Sequence, residues 1–245
     1  MKILITGHKG FIGSGLWDRL SWDYELEGID LKEGKDILTA DLPKVDLVIH
    51  LAGIGGVRES LADPKKYWEN NVEGTRRILE HYQNTRVLVA GSSSQYEPHL
   101  NPYAASKHLI ESIPHPNVVF MRFHTVYNEE ARTGMFFDKL FKGTLEYVTD
   151  HERDFIHRDD LLDAIEIIIN KDNLYSAFDL GTGKTICIKD IVPSLPVRSG
   201  TVGERAITKA KTKYFEEATG WKAKIDVRDF LQKNDERIRN LYSVK

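Results

Sequence analysis

The feature that most constrains this chain is a glycine-rich segment close to its start. A short apolar run, KILIT at residues 2–6, is followed by Gly7, Gly10 and Gly13, and helical periodicity of apolar residues begins at once. An open backbone permits the sharp turn, lets a phosphate approach closely and allows the helix to pack tightly on the strand. The first amides of such a helix attract an anion. The segment therefore predicts a strand, a phosphate-binding turn and a helix. The predicted cofactor contacts here are Gly7, Gly10, Phe11, Ile12 and Gly13.

A second apolar run, LEGIDL, ends in an acidic residue, Asp30, 17 residues after Gly13. A carboxylate at that place can accept hydrogen bonds from both ribose hydroxyls of adenosine and repels a 2′-phosphate, which favours NAD over NADP. Lys32 and Lys35 moderate the preference. The alternative is a solvated carboxylate at the end of a strand. Asp36 and Ile37 are predicted at the adenine edge.

Strand-like and helix-like segments continue to alternate along the chain. A third run, VDLVIHLAG at residues 45–53, precedes a helical pattern, and RVLVAG at 86–91 leads into Ser92. This order predicts an α/β fold of the Rossmann type, a doubly wound parallel sheet with helices on both faces. Ligands bind at the carboxyl ends of such strands. Leu51, Ala52 and Gly53 are therefore further predicted cofactor contacts.

A phenol and an ammonium group lie four residues apart in Tyr103-Ala-Ala-Ser-Lys107. On a helix they share one face. A phenol is a poor base at neutral pH, but a neighbouring cation lowers its pKa. Ser92, at a strand end, can hydrogen-bond a substrate oxygen beside that phenol. This spacing alone is common on helix surfaces. It indicates a catalytic site here because the glycine turn, Asp30 and Ser92 accompany it in the expected order.

Composition excludes several classes of protein. The net charge is −3, which gives no general attraction to nucleic acid or to anionic membranes. Cys187 is the single cysteine, so no disulfide can form within the chain. We see neither a signal peptide nor an apolar stretch of membrane-spanning length. We expect a cytoplasmic protein without a metal site.

Taken together, these motifs resemble the extended short-chain dehydrogenase/reductase superfamily, in its NAD-dependent epimerase/dehydratase branch. The resemblance runs over nearly the whole chain. It rests on TGHKGFIGS, HLAG, NNVEGT, GSSSQY, PYAASK, RDFIHRDD, the late turn in DLGTGKTICIKDI and the closing ATGWKAKIDVRDFL.

The resemblance implies roles for individual residues. Tyr103 would be the acid/base, Lys107 would lower its pKa and hold the nicotinamide ribose, and Ser92 would be the third catalytic residue. Asn71 would support the adjoining sheet and helix beside the cofactor. The implied substrate contacts are Ser93, Ser94, Thr125 and Arg153. The implied cofactor is NAD and the implied substrate is a nucleoside-diphosphate sugar.

Two of these positions carry alternatives. Arg153 would grip the diphosphate, or it would form a surface ion pair with Asp150, Glu152 or Asp154. GTGKT at 181–185 ends like a phosphate-binding P-loop, but Phe178 stands where that loop needs its first glycine. We therefore interpret it as a turn.

The reaction subtype follows from what flanks the catalytic serine. Family dehydratases carry an Asp-Glu pair where Ser93 and Ser94 stand, and decarboxylating members usually have glutamate at the second position. The GDP-fucose synthase group has cysteine there. Without those residues, the reaction that the site can still support is hydride transfer at one carbinol carbon. We favour a nucleotide-sugar epimerase, an isomerase acting through a keto intermediate at C4. The alternatives are a 4-ketoreductase or dehydrogenase, which would be an oxidoreductase, an inactive NAD-binding sensor or scaffold and, more weakly, a reductase of a small free carbonyl.

The segments expected to bind substrate are unusually short. Only six residues separate Tyr96 from Tyr103, and Pro114 and Pro116 end the Tyr103 helix early. We predict a dinucleotide-binding domain from residues 1–122 and 152–172, and a small, reduced C-terminal α/β part for substrate from 123–151 and 173–245. A homodimer is the family expectation, and the short helix weakens it.

Overall fold

The computed structural model describes residues 1–200 and 202–242 and divides them into two compact units. Unit 1 comprises Met1–Arg122 and Asp172–Phe178. Unit 2 comprises Phe123–Lys171 and Asp179–Lys245. Within the described residues no helix is long and apolar enough to cross a membrane.

Unit 1 is built on a six-stranded sheet. Its helices are α1 (Phe11–Leu20), α2 (Val57–Ala62), α3 (Pro64–Tyr67), α4 (Gly74–His81) and α5 (Pro102–Ile110), with a π-helical segment, Trp68–Glu73, between α3 and α4. Its strands are β1 (Lys2–Thr6), β2 (Glu25–Ile29), β3 (Leu47–His50), β4 (Arg86–Ser92), β5 (Val118–Phe123) and β10 (Ser176–Leu180). The last residue of β5 and the last two residues of β10 are assigned to unit 2.

The strand order is β10-β5-β4-β3-β1-β2. β2 and β3 both pair with β1 in parallel, and β3 pairs with β4 in parallel. Such strands are buried on both faces, which is why KILIT and LVIH are continuous apolar runs rather than alternating ones. The chain order reverses on either side of β1, and this is where a doubly wound sheet binds its ligand. The predicted Rossmann-type fold is confirmed.

The core on one side of this sheet joins strand residues to the helical stretch 64–81. Helical periodicity in PKKYWENNVEGTRRILEHYQ predicts five buried positions, and all five are buried in the structure: Tyr67, Val72, Ile78, Leu79 and Tyr82. The stretch is not one regular helix, because the π-helical turn interrupts it and contains Asn71. π-helical turns of this kind frequently lie at functional sites.

Unit 2 contains short strands and five helices among its described residues. The strands are β6 (Thr125–Tyr127), β7 (Val148–Thr149), β8 (Glu152–Arg153), β9 (Phe155–His157), β11 (Ile186–Cys187), β12 (Val197–Arg198) and β13 (Ile207–Thr208). The helices are α6 (Phe136–Lys142), α7 (Arg158–Ile169), α8 (Lys213–Thr219), α9 (Val227–Lys233) and α10 (Asp235–Tyr242).

Aromatic side chains fill the core of unit 2. Tyr127 stacks on Phe137 with ring centroids 4.7 Å apart and meets Phe155 and Phe230 edge-on. We assigned residues 152–172 to the first domain, and the structure places 152–171 in unit 2. β8 pairs with β11 and β13, and β9 pairs with β6, so these pairings hold the segment within unit 2.

A fully buried carboxylate, Asp154, organises the late glycine turn. Its oxygens accept the amides of Thr182, Gly183 and Ala210 at 2.8, 2.8 and 3.0 Å, and the Thr182 hydroxyl at 2.8 Å. The amides that a P-loop would offer to phosphate are therefore bound to a carboxylate of the chain itself. GTGKT is a turn, as we predicted, and Gly183 adopts a left-handed φ of 73° there.

We expect Asp154→Ala to lower the free energy of unfolding by about 3 kcal/mol or more, because three backbone amides and the Thr182 hydroxyl lose their acceptor. The matched control is Asp172→Ala, whose side chain is 97% exposed and reaches Arg86 only at 3.6 Å. That control should unfold close to wild type in urea titrations. Equal losses in the two variants would contradict the organising role of Asp154.

Candidate active site

The glycine turn of unit 1 is shaped by close backbone contacts. Gly7 has a left-handed φ of 74°, and a Cβ placed on it would lie 2.8 Å from the Ala52 nitrogen. A Cβ on Gly13 would collide with the Gly7 carbonyl oxygen. α1 begins at Phe11, and its N-cap residue, Gly10, has no side chain that could occupy the first amides of the helix. The turn is thus a cradle that side chains would fill, and it fits the pyrophosphate of a dinucleotide.

Asp30 lies at the carboxyl end of β2, where the sequence predicted the ribose contact. Its Oδ1 accepts the Lys32 amide at 2.8 Å and its Oδ2 accepts the Lys9 amide at 2.9 Å. These bonds fix the carboxylate, and each oxygen keeps a second lone pair for a hydroxyl donor. The Lys32 ammonium donates to the Lys9 carbonyl at 2.8 Å, and that of Lys35 to the Gly28 carbonyl at 3.3 Å.

The next two predicted contacts differ in their burial. Asp36 accepts the Leu38 amide at 2.9 Å and begins a turn. Ile37 is buried in the core of unit 1, and its carbonyl accepts the Arg77 guanidinium at 2.6 Å. An adenine contact from Ile37 would therefore involve the edge of a core side chain.

Helix α5 carries the phenol and the ammonium group. Asn101 caps it by accepting the Ala104 amide at 2.7 Å, and Pro102 occupies the first helical position. Lys107 is 8% exposed and donates to the Ala90 carbonyl at 2.8 Å. Burial lowers the pKa of Lys107 to about 8. The helix thus presents Tyr103 and a buried, readily titrated ammonium one turn apart.

Ser92 ends β4, two residues after the carbonyl that holds Lys107. Its Oγ accepts the Ser94 amide at 3.2 Å, so its own hydrogen can be donated to a substrate oxygen. Ser93 and Ser94 follow in a short 3₁₀ helix, with Ser93 buried. Ser92, Tyr103 and Lys107 belong to the same unit as the glycine turn.

Asn71 connects the loop after β3 to the helix that carries Tyr103. Its Oδ1 accepts the Ile54 amide at 2.9 Å, and its Nδ2 donates to the Ile54 carbonyl and to Ser106 Oγ, both at 3.0 Å. A Cβ on Gly53 would lie 3.0 Å from Asn71 Oδ1 and 3.8 Å from Lys107 Nζ. Leu51, Ala52 and Gly53 thus lie on a loop that is tied to α5.

Sequence reasoning assigned Tyr67 to the core and missed its second contact. Its ring meets that of Tyr103 edge-on with centroids 6.1 Å apart, and its hydroxyl donates to the Gly55 carbonyl at 3.3 Å. No spacing in the sequence pairs these two tyrosines, because the contact depends on how α3 and α5 pack.

Two of the predicted substrate residues, Thr125 and Arg153, lie in unit 2. The Thr125 amide donates to the Asp154 carbonyl at 3.0 Å. Arg153 Nη2 lies 3.4 Å from Glu204 Oε2, and its Nη1 donates to the Glu152 carbonyl at 3.0 Å. Burial lowers the pKa of Arg153. The ion-pair partners considered from the sequence did not include Glu204, which lies about 50 residues away along the chain.

Comparisons with known proteins identify the family to which this chain is similar. Residues 3–181 match the model of the NAD dependent epimerase/dehydratase family. An uncharacterized UDP-glucose epimerase, YtcB of Bacillus subtilis, is 30% identical over 71% of this chain and 74% of its own length. That alignment spans 234 positions, more than 71% of 245 residues can fill, so it contains long gaps opposite this chain. The short segments noted in the sequence are consistent with these gaps.

Two solved structures share the fold at 26–27% identity. MoeE5 in complex with UDP-glucose and NAD has a TM-score of 0.84, covering 98% of this chain and 99% of that one. UDP-glucuronic acid 4-epimerase from Bacillus cereus, in complex with UDP-glucuronic acid and NAD, has a TM-score of 0.83 and covers 99% and 100%.

We expect Gly7→Ala to disturb the cradle and Gly220→Ala to leave it intact. Both glycines have a left-handed φ, 74° and 73°, so both variants carry the same backbone strain. Only at Gly7 does the new methyl group meet backbone, whereas the space at Gly220 is open. Gly7→Ala should therefore lose about 1 to 3 kcal/mol more in the free energy of unfolding, measured in urea. It should also bind NAD more weakly in calorimetry, and matching behaviour of the two variants would refute the close approach to Ala52.

Proposed function

The chain belongs to the NAD dependent epimerase/dehydratase family, and from that premise we propose that it is a nucleotide-sugar epimerase that inverts a carbinol carbon, C4, through a keto intermediate. Membership of the family confirms the resemblance noted in the sequence, the enzyme class and NAD as the cofactor. UDP-glucose and UDP-glucuronic acid, the ligands of the two related structures, are the first substrates to test.

The observation that supports the proposal is the approach of Lys107 Nζ to within 3.8 Å of the Cβ position of Gly53, on the loop whose Ala52 nitrogen closes on Gly7. Ser92 and Tyr103 belong to the same unit. When bound, NAD would supply the acceptor of the hydride from the carbinol carbon and, once reduced, the donor of that hydride to the other face of the carbonyl. The phenolate of Tyr103 would take the proton of the substrate hydroxyl and return it once the carbonyl has turned to its other face. The Lys107 cation favours that phenolate, and the Ser92 hydroxyl donates to the reacting oxygen.

The flanking residues support epimerisation rather than elimination of water. Ser93 and Ser94 carry neither a carboxylate nor a thiol, so the site offers no second base beside Tyr103 at those positions. Thr125 would donate to a sugar hydroxyl. Arg153 would bind the diphosphate, and to do so it would exchange Glu204 for phosphate oxygens.

Replacing the acid/base should stop turnover but not cofactor binding. We expect Tyr103→Phe to lower the epimerisation rate by about 100-fold to 10,000-fold, because proton transfer is lost. NAD should remain bound, since only a hydroxyl is removed. Tyr175→Phe, at an exposed position, is the control and should turn over at the wild-type rate. An unchanged rate in Tyr103→Phe would exclude this mechanism.

The rate should also depend on the charge of Lys107. The pKa of Lys107 is lowered to about 8 by burial, so its cation is present below that pH and is lost above it. Since the cation favours the phenolate, we expect kcat/KM to fall as the pH rises through about 8. Lys107→Arg keeps its charge to higher pH. The variant should lose the alkaline fall even if it is slower, and a fall at the same pH in both proteins would assign the titration to another group.

Product analysis separates the proposed function from its alternatives. The protein is incubated with NAD and UDP-glucose or UDP-glucuronic acid, and the configuration at C4 is followed by proton NMR while NADH is followed by absorbance. Inversion at C4 without accumulation of NADH supports the epimerase. Accumulation of NADH with a released keto sugar identifies a dehydrogenase. NAD binding without turnover of either substrate favours the sensor or scaffold.

A further inference from the structure

A chain of buried hydrogen bonds runs beneath the loop that follows β3, and its centre is a histidine. His50 is 1% exposed. Its Nδ1 lies 2.7 Å from Thr6 Oγ1 and its Nε2 lies 3.1 Å from Thr75 Oγ1. The three side chains come from β1, β3 and α4. No role for His50 follows from the chemistry of Tyr103, Ser92 and Lys107.

The direction of the bond between His50 and Thr75 is fixed by the backbone carbonyl of Asn71. Thr75 Oγ1 lies 2.6 Å from the backbone carbonyl of Asn71, which can only accept, so the Thr75 hydroxyl donates there. Its single hydrogen is then used, and His50 Nε2 must donate to Thr75. At the other end, Thr6 Oγ1 accepts the Ala52 amide at 3.1 Å, and Nδ1 of the neutral ring, 2.7 Å away, is an acceptor for its hydrogen.

This order of donors requires a neutral imidazole with its proton on Nε2. A second proton on Nδ1 would leave the Thr6 hydroxyl hydrogen in need of another acceptor. Burial, and secondarily the nearby Lys107 cation, lowers the pKa of His50 to about 3, which agrees with a neutral ring.

Both ends of the chain hold the same loop. Thr6 binds the amide of Ala52, and Asn71, whose carbonyl Thr75 binds, holds the amide and carbonyl of Ile54. The loop between them contains Gly53, whose Cβ position lies 3.8 Å from Lys107 Nζ. The loss of any one of these hydrogen bonds would therefore shift residues 51–54 relative to the glycine turn and to α5.

We propose that His50 is a positioning residue, fixed as the Nε2–H tautomer, which holds residues 51–54 in the geometry that binds NAD. The structural part of the proposal, which comprises the tautomer and the fixed loop, depends on the hydrogen bonds alone. The consequence for NAD rests on the proposed function.

The tautomer can be measured on the unaltered protein. Long-range ¹H–¹⁵N NMR of the ring should show His50 with a protonated Nε2 and an unprotonated Nδ1, and the pattern should not change between about pH 6 and about pH 8, where exposed histidines titrate. The signal is assigned by its absence from His50→Gln, or by assigning the other eight histidines. A proton on Nδ1, or titration in that range, would overturn the proposal.

The hold on the loop is tested with two matched threonine variants. Thr75 and Thr219 each donate at 2.6 Å to the carbonyl four residues earlier and each accept one further bond at 3.1 Å, Thr75 from His50 and Thr219 from the Trp221 amide. We expect Thr75→Val, but not Thr219→Val, to speed hydrogen exchange at the Ala52 and Ile54 amides by about tenfold or more. Thr75→Ser should restore protection, because it keeps the hydroxyl.

Calorimetric titration with NAD gives the functional result. Thr75→Val should raise the Kd for NAD by about tenfold, while Thr219→Val and Thr75→Ser stay near the wild-type value. Equal exchange and equal Kd in the two valine variants would overturn the positioning role. Failure of the wild-type protein to bind NAD would instead reject the proposed function, and the exchange data would still decide whether His50 holds the loop. If Thr75→Val does not fold, the tautomer measurement on the unaltered protein still tests the proposal, because a proton on Nδ1 would overturn it.

Discussion

The close approach of two backbone segments, the turn at Gly7 and the loop that begins at Leu51, underlies the candidate site. A Cβ on Gly7 would lie 2.8 Å from the Ala52 nitrogen, so no side chain fits between them. β1 and β3 are adjacent parallel strands, and both segments therefore leave the same edge of the sheet. The cradle for pyrophosphate and the loop next to Lys107 are thus parts of one arrangement.

Buried polar groups hold that arrangement because each is satisfied. His50 stays neutral between two threonines, and Lys107 keeps a carbonyl acceptor although its burial is costly enough to lower its pKa to about 8. Asn71 uses both atoms of its amide to join the loop to α5. A half-satisfied network of this kind would cost more than an apolar core, so each of its members constrains the others.

Unit 2 uses the same principle, with aspartates as the buried polar groups. Asp154 accepts hydrogen bonds from the backbone amides of Thr182, Gly183 and Ala210. Asp160 accepts those of Lys224 and Ile225, and Asp179 accepts that of Lys211. Each carboxylate fixes a segment with little regular structure of its own. Such ties let a small unit with two- and three-residue strands keep a defined fold.

The sequence by itself determined the sheet and the glycine turn and predicted the residues of the candidate site, because these depend on local periodicity, on spacing and on residues such as glycine that have few substitutes. Tyr103 and Lys107 could be paired from a separation of four because a helix fixes that relation. Only the tertiary structure decided the partners of Arg153, the contact between Tyr67 and Tyr103, and the assignment of residues 152–171 to unit 2. The same holds for the hydrogen-bond partners of His50, from which we infer its tautomer. Each of these depends on groups that are distant in sequence, and their distances follow from packing and pairing that no local pattern encodes.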